Sequence, residues 1–110
     1  MSGINVHKGH RSRMKKRYMD EGLDNFSDHE IIELLLFYSI PQHDTNALAH
    51  RMIKEFGTLH DLLEADPRDI ERRCKVSLNT AILISLVAPL SRRYLKEKWG
   101  ERPIVNSSAV

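Results

Sequence analysis

Cysteine is nearly absent from this sequence, and several other sources of stability or chemistry are missing with it. The single Cys74 excludes an internal disulfide, which leaves packing to hold the chain together and points to a reducing, cytoplasmic setting. Apolar runs are short: the longest, Ala81 to Leu90, is interrupted by Ser85 and cannot span a bilayer. No charged-then-apolar leader opens the chain. No section is rich in strand formers, so an all-α fold is expected, and 110 residues suffice for one domain that buries about two thirds of its unfolded surface.

Acidic residues are absent from one end of the chain and crowded in its middle. Residues 1 to 19 carry six Lys/Arg and no acid, residues 20 to 66 carry two against eleven acids, and residues 67 to 110 carry nine against four. A net charge of +2 therefore hides segments of +6, −9 and +5. Basic ends around an acidic middle can steer a polyanion to one face, or can simply solvate helices.

The few glycines and prolines punctuate a series of helices. Residues 1 to 8 lack periodicity and are expected to fray. A first helix is expected from about His10 to Glu21, with Met14 and Tyr18 as its narrow apolar stripe and Gly22 closing it. Leu23 and Phe26 then tuck under a second helix that starts at Asp28, where Ser27 and Glu30 form a capping box. Ile31, Ile32, Leu34, Leu35, Leu36 and Phe37 wrap that helix, with a thin polar edge at Glu30 and Glu33, which is the pattern of a helix surrounded by others. Pro41 is expected to stop it.

Asp44 or Thr45 caps a third helix, apolar at Leu48, Ala49, Met52, Ile53 and Phe56, which Gly57 ends. Thr58 and Asp61 open a short helix from Leu59 to about Glu64. Asp66-Pro67 opens another that ends near Cys74. A tight connection, Lys75 to Asn79, leads into a long final helix reaching about Lys98, which Pro89 is expected to kink or divide in two. The tail from Gly100 reads as a linker toward a further domain.

Several ordered motifs carry a resemblance: HRSRMKKRY at residues 10 to 18, SDHEIIELLLFYSIP at 27 to 41, Asp44-Thr45-Asn46, Phe56-Gly57-Thr58-Leu59 and Arg92-Arg93-Tyr94-Leu95. Together, over roughly residues 7 to 98, they resemble the N-terminal domain of RadC-like bacterial proteins. The resemblance implies a compact all-α bundle of five or six helices, similar to tandem helix-hairpin-helix units, over residues 9 to 99, preceding a JAB-type metalloprotease-like domain. The zinc motif of that second domain, a His-x-His pair with a downstream Ser and Asp, is not found among the six histidines at 7, 10, 29, 43, 50 and 60. No catalytic activity, metal or cofactor is therefore expected of this chain.

A helix-hairpin-helix holds DNA by offering the backbone amides at the start of its second helix to a phosphate, with glycines allowing close approach. Where the family hairpin resembles Gly-Ile-Gly, this chain has Lys75-Val76-Ser77, so Val76 keeps the apolar plug while both glycines are replaced. A side chain there blocks the approach or forbids positive φ, with Lys75, Ser77, Asn79 and Thr80 as compensating phosphate partners. The upstream counterpart, Ile40-Pro41-Gln42-His43-Asp44, reads as a structural turn.

Basic surfaces at Arg11, Arg13, Lys15, Lys16 and Arg17, at Arg72 and Arg73, and at Arg92 and Arg93 would track the phosphate backbone. Alternatively the N-terminal cations pair internally with Asp28, Glu30 or Glu33. Two functions follow: a weak, sequence-independent DNA-binding or targeting module, or a scaffold that has lost DNA binding and positions a JAB domain or an oligomeric partner. One continuous positive face supports the first; cations scattered among carboxylates support the second. Cys74 reads as a small apolar residue at a helix end, and Trp99 as an anchor for the tail or a neighbouring domain.

Overall fold

The computed structural model describes residues 2–41 and 43–100, with side chains from residue 9 onward. Six helices follow one another: α1 (Ser2–Glu21), α2 (Asp28–Leu36), α3 (Asn46–Phe56), α4 (Leu59–Glu64), α5 (Pro67–Cys74) and α6 (Leu78–Trp99). No strand occurs among the described residues, so the fold is all-α. No described helix is long and apolar enough to cross a membrane.

Local signals set most of the boundaries. The Ser27–Glu30 capping box opens α2, and the Glu30 carboxylate accepts the Ser27 amide at 3.0 Å. Thr58 caps α4 by accepting the Asp61 amide, and Asp66 caps α5 by accepting the Arg68 amide ahead of Pro67. Of the two residues expected to open α3, Thr45 occupies the cap position while the Asp44 carboxylate accepts the Asn46 amide at 3.0 Å. Gly57, at φ 99°, ends α3 in a conformation that a side chain would strain.

α2 is a partition between two apolar clusters. Ile32 and Leu36 join Ala49 and Met52 of α3, Leu62 of α4, Ile70 and Cys74 of α5, and Ala81 and Ile84 of α6 in the main core. Each large side chain so buried contributes about 1.5–3 kcal/mol. Ile31 and Leu34 lie instead against a smaller cluster of Met14 from α1, Phe26 and Phe37. This accounts for a helix that is apolar almost all round.

Several expectations need correction. α1 begins at Ser2 rather than near His10, because residues 2 to 9 contain no proline to stop a helix propagating outward from its docked part. Tyr18 and Leu23 are exposed, with the Tyr18 ring still edge-on to Phe26, so Met14 and Phe26 are the residues buried at this end. α2 ends at Leu36, ahead of Pro41. Proline disfavours helical geometry at the preceding Ile40, and the chain winds down through shorter turns, with the amides of Tyr38 and Ser39 donating to the carbonyls of Leu35 and Leu36. Of the two outcomes expected at Pro89, division does not occur, and α6 runs through it as one helix. Gln42 and residues 101–110, including most of the expected linker, lie outside the described residues.

Candidate nucleic-acid interface

The α5–α6 hairpin keeps its turn without its glycines. Lys75 ends α5 in the left-handed region, φ 59° and ψ 46°, the sole non-glycine residue with positive φ among those described. The expected obstacle of a forbidden backbone thus does not arise: the lysine adopts the conformation, at a cost of about 1–2 kcal/mol. Ser77 is extended, with φ −68°, and needs no glycine. Its hydroxyl accepts the Thr80 amide at 3.1 Å, which leaves the Leu78 and Asn79 amides as the open donors at the helix start. Val76 packs against the main core as the apolar plug.

Three of the other expected phosphate partners here already engage groups within the chain. Thr80 is buried, and its hydroxyl accepts from Ser77 Oγ and donates to Ser39 Oγ at 3.1 Å. Arg73 donates to the Glu55 carboxylate at 3.1 Å and the Glu55 carbonyl at 2.9 Å, with its guanidinium 4.1 Å from the Phe56 ring centroid. Arg72 pairs with Asp69 at 2.8 Å. Lys75, Ser77 and Asn79 are exposed. Burial, then the neighbouring Glu55 carboxylate, pushes the Cys74 thiol up, so the residue serves as core.

The N-terminal cations are used even more fully within the chain. Arg11 reaches over the end of α2, where its guanidinium donates to the carbonyls of Phe37 (3.3 Å), Ile40 (2.7 Å) and His43 (2.7 Å) and covers the Phe37 ring. The Phe37 and Ile40 carbonyls lie where α2 unwinds and that of His43 in the connection to α3, so one arginine satisfies three acceptors. Arg17 makes a two-pronged contact with Glu30, at 2.7 and 3.3 Å, and lies over Phe26. That hydrogen bond and the Ser27 amide hold the Glu30 carboxyl down at about 2, against an ordinary 4.5. Lys16 pairs with Asp20, Lys15 lies 5.0 Å from the Tyr38 ring centroid, and Arg13 is engaged as well.

Glu33, expected on a polar edge, is instead 1% exposed and central to the joint between helices. Its carboxylate meets His10 Nε2 at 3.0 Å and the Asn46 side-chain amide at 3.3 Å, tying α1 and α3 to α2. His29 and His50 stack with ring centroids 3.8 Å apart, a second α2–α3 contact that spacing alone did not reveal. At the far end of the molecule, Arg92 pairs with Glu64 at 2.7 Å. It lies fourteen residues along α6 from Leu78, about 21 Å at helical rise, so the hairpin and this arginine pair form separate patches. Among the described residues, no group of three or more His, Cys, Asp or Glu side chains gathers as metal ligands would.

With this geometry in view, relatives can be placed beside the chain. It is 41% identical over 98 residues to a UPF0758 protein of Burkholderia thailandensis, a match taking in 88% of this chain and 37% of that protein. UPF0758 proteins are its homologues. A UPF0758 protein of Burkholderia mallei matches at 41% over 98 residues, with 88% of this chain and 35% of the relative covered. The UPF0758 protein of Fusobacterium nucleatum is more distant, at 25% over 103 residues, with 94% of this chain and 44% of that protein covered. The chain thus spans less than half the length of these relatives. No family model and no solved structure matches it.

Proposed function

We propose that this chain is a non-catalytic helical interaction module of a RadC-like protein, one that positions a neighbouring JAB metalloprotease-like domain or a partner chain. The observation that carries this reading is the inward use of cations that phosphate binding would need outward. Arg11, Arg17 and Arg73 each engage a carbonyl or carboxylate of another element, while Arg92 stays exposed in a surface pair with Glu64. Pulling them onto DNA would break those contacts, which offsets the counterion release that drives such binding. The homology to UPF0758 proteins and the short coverage of their length support a module within a larger protein.

One observation favours DNA binding as the second reading. Lys75 in the left-handed turn and the open amides of Leu78 and Asn79 keep the hairpin able to offer donors and one charge to a phosphate. Fluorescence anisotropy with labelled single-stranded, duplex and branched DNA, at low and physiological salt, separates the two. The interaction module gives no salt-sensitive binding. Binding that weakens with salt and with Lys75→Glu would replace the interaction reading with the hairpin one.

A further inference from the structure

Two exposed apolar patches of opposite charge remain outside the hairpin and the clasped cations. The first is the C-terminal end of α1 and the turn after it, where Tyr18, Met19 and Leu23 are exposed, Met19 to 81%. Asp20, Glu21 and Asp24 stand beside them, also exposed. The last turn of α1 carries no basic residue, so two acids sit at the negative end of the helix dipole, where a cation is favoured. Lys16 reaches Asp20 from one turn back. Glu21 lies close enough to Arg17 to attract it, and Asp24 follows in the turn.

The second patch is the projecting end of α6. Every residue from Pro89 to Gly100 is exposed, including Leu90, Tyr94, Leu95 and Trp99. Arg93, Lys96 and Lys98 surround this stripe, with Glu97 as the one acid. The Lys98 ammonium lies 5.2 Å from the Trp99 ring, so cation and aromatic are presented together. Exposed Trp, Tyr and Leu within one basic turn-and-a-half are the kind of anchors that interfaces bury at their centres.

We infer that the basic, apolar end of α6 docks on the acidic, apolar end of α1 in a second copy of this chain. The two surfaces are complementary in charge and both apolar, and their exposure within one chain means that neither covers the other. Cations from α6 add favourable charge to that of Lys16 and Arg17 at the end of α1. Because the two surfaces differ, the contact is head to tail, and it propagates into chains or closes into a ring. This names a partner for the interaction module and rests on that reading.

Light scattering coupled to size exclusion, or analytical ultracentrifugation, tests it on the full chain over a range of concentrations. The mass rises above the 12.8 kDa of one chain with concentration and falls back toward it as salt is added. Met19→Lys spoils the acidic patch and Leu95→Glu the basic one; both positions are exposed, and unchanged thermal melts confirm that the variants fold. Each variant alone is monomeric, and an equimolar mixture gives a dimer of one copy of each, since each keeps one intact patch. A wild type that stays monomeric, variants that remain monomeric when mixed, or a dimer sensitive to only one of the two changes overturns the head-to-tail contact. Binding of a monomeric chain to anionic vesicles does so too. Salt-sensitive DNA binding removes the interaction reading, whereas a monomeric mass removes only this contact.

Discussion

α1 and the outer half of α6 are both cation-rich helices at the margin of the fold, and they use their charge in opposite ways. α1 lies across α2, within reach of the carbonyls that α2 leaves open at its C-terminal end and of Glu30 and Glu33 on its flank. Arg11 and Arg17 lie over Phe37 and Phe26, the rings that share a cluster with Met14. The outer half of α6 extends past the helices that could cover it, and its Arg92 pairs with Glu64 of α4 at the surface. Equal composition therefore gives a structural clasp in one place and a presented surface in the other. What decides between them is the supply of acceptors nearby.

The largest effect that sharpens this contrast is a pair of truncations measured by urea denaturation. Leu36→Ala, in the main core, is expected to cost about 2–5 kcal/mol, while Leu95→Ala on the exposed end of α6 stays within about 0.5 kcal/mol. Equal costs would mean that the end of α6 is packed after all.

Next in size is Arg11→Ala, which frees three carbonyls between the end of α2 and the start of α3 and is expected to cost about 2 kcal/mol. Hydrogen exchange should speed up in α1 before the main core. Uniform acceleration across all six helices would show that α1 is no separate clasp.

The clasp also has a pH signature. Glu30 titrates at about 2 when folded and at an ordinary 4.5 when released, so its stabilisation is complete above the ordinary value and is lost as pH falls from 4.5 toward 2. Because the side chain is 26% exposed and screened, about 1–2 kcal/mol is expected to disappear over that window. Glu30→Gln should flatten this part of the stability profile, and an unchanged acid slope would place the titration elsewhere.

The smallest effect has the opposite sign. The Thr45 hydroxyl is buried without a hydrogen-bond partner among the described residues. Thr45→Val keeps the shape and removes that polar atom, so a gain of about 0.5–1 kcal/mol is expected in the same denaturation assay. A loss would reveal a partner for the hydroxyl.

What could be read from sequence was what neighbouring residues settle among themselves. The caps at Ser27, Thr58 and Asp66 depend on partners two or three residues away, and the apolar spacing of α3 depends on one helix. Arg11 was legible as a cation but not as a clasp, because its acceptors lie 26 to 32 residues away, between the end of α2 and the start of α3. Pairing of the N-terminal cations with Glu30 was one of two open alternatives, and the Arg17 contact realises it. Glu33 gave no sign of burial, since periodicity cannot show that His10 and Asn46 converge on it. The substituted hairpin was visible as a departure from a pattern, but whether a lysine would accept a left-handed backbone is decided by the fold around it.

That left-handed lysine has a consequence for the chain before it folds. A glycine at this turn would sample many more backbone states when the protein is denatured, and each would have to be given up on folding. Lys75 and Ser77 narrow that disordered population in advance, which offsets part of the strain that Lys75 carries in the folded turn. The hairpin is thus held partly by the poverty of its alternatives, an asset that no contact in the native structure reveals.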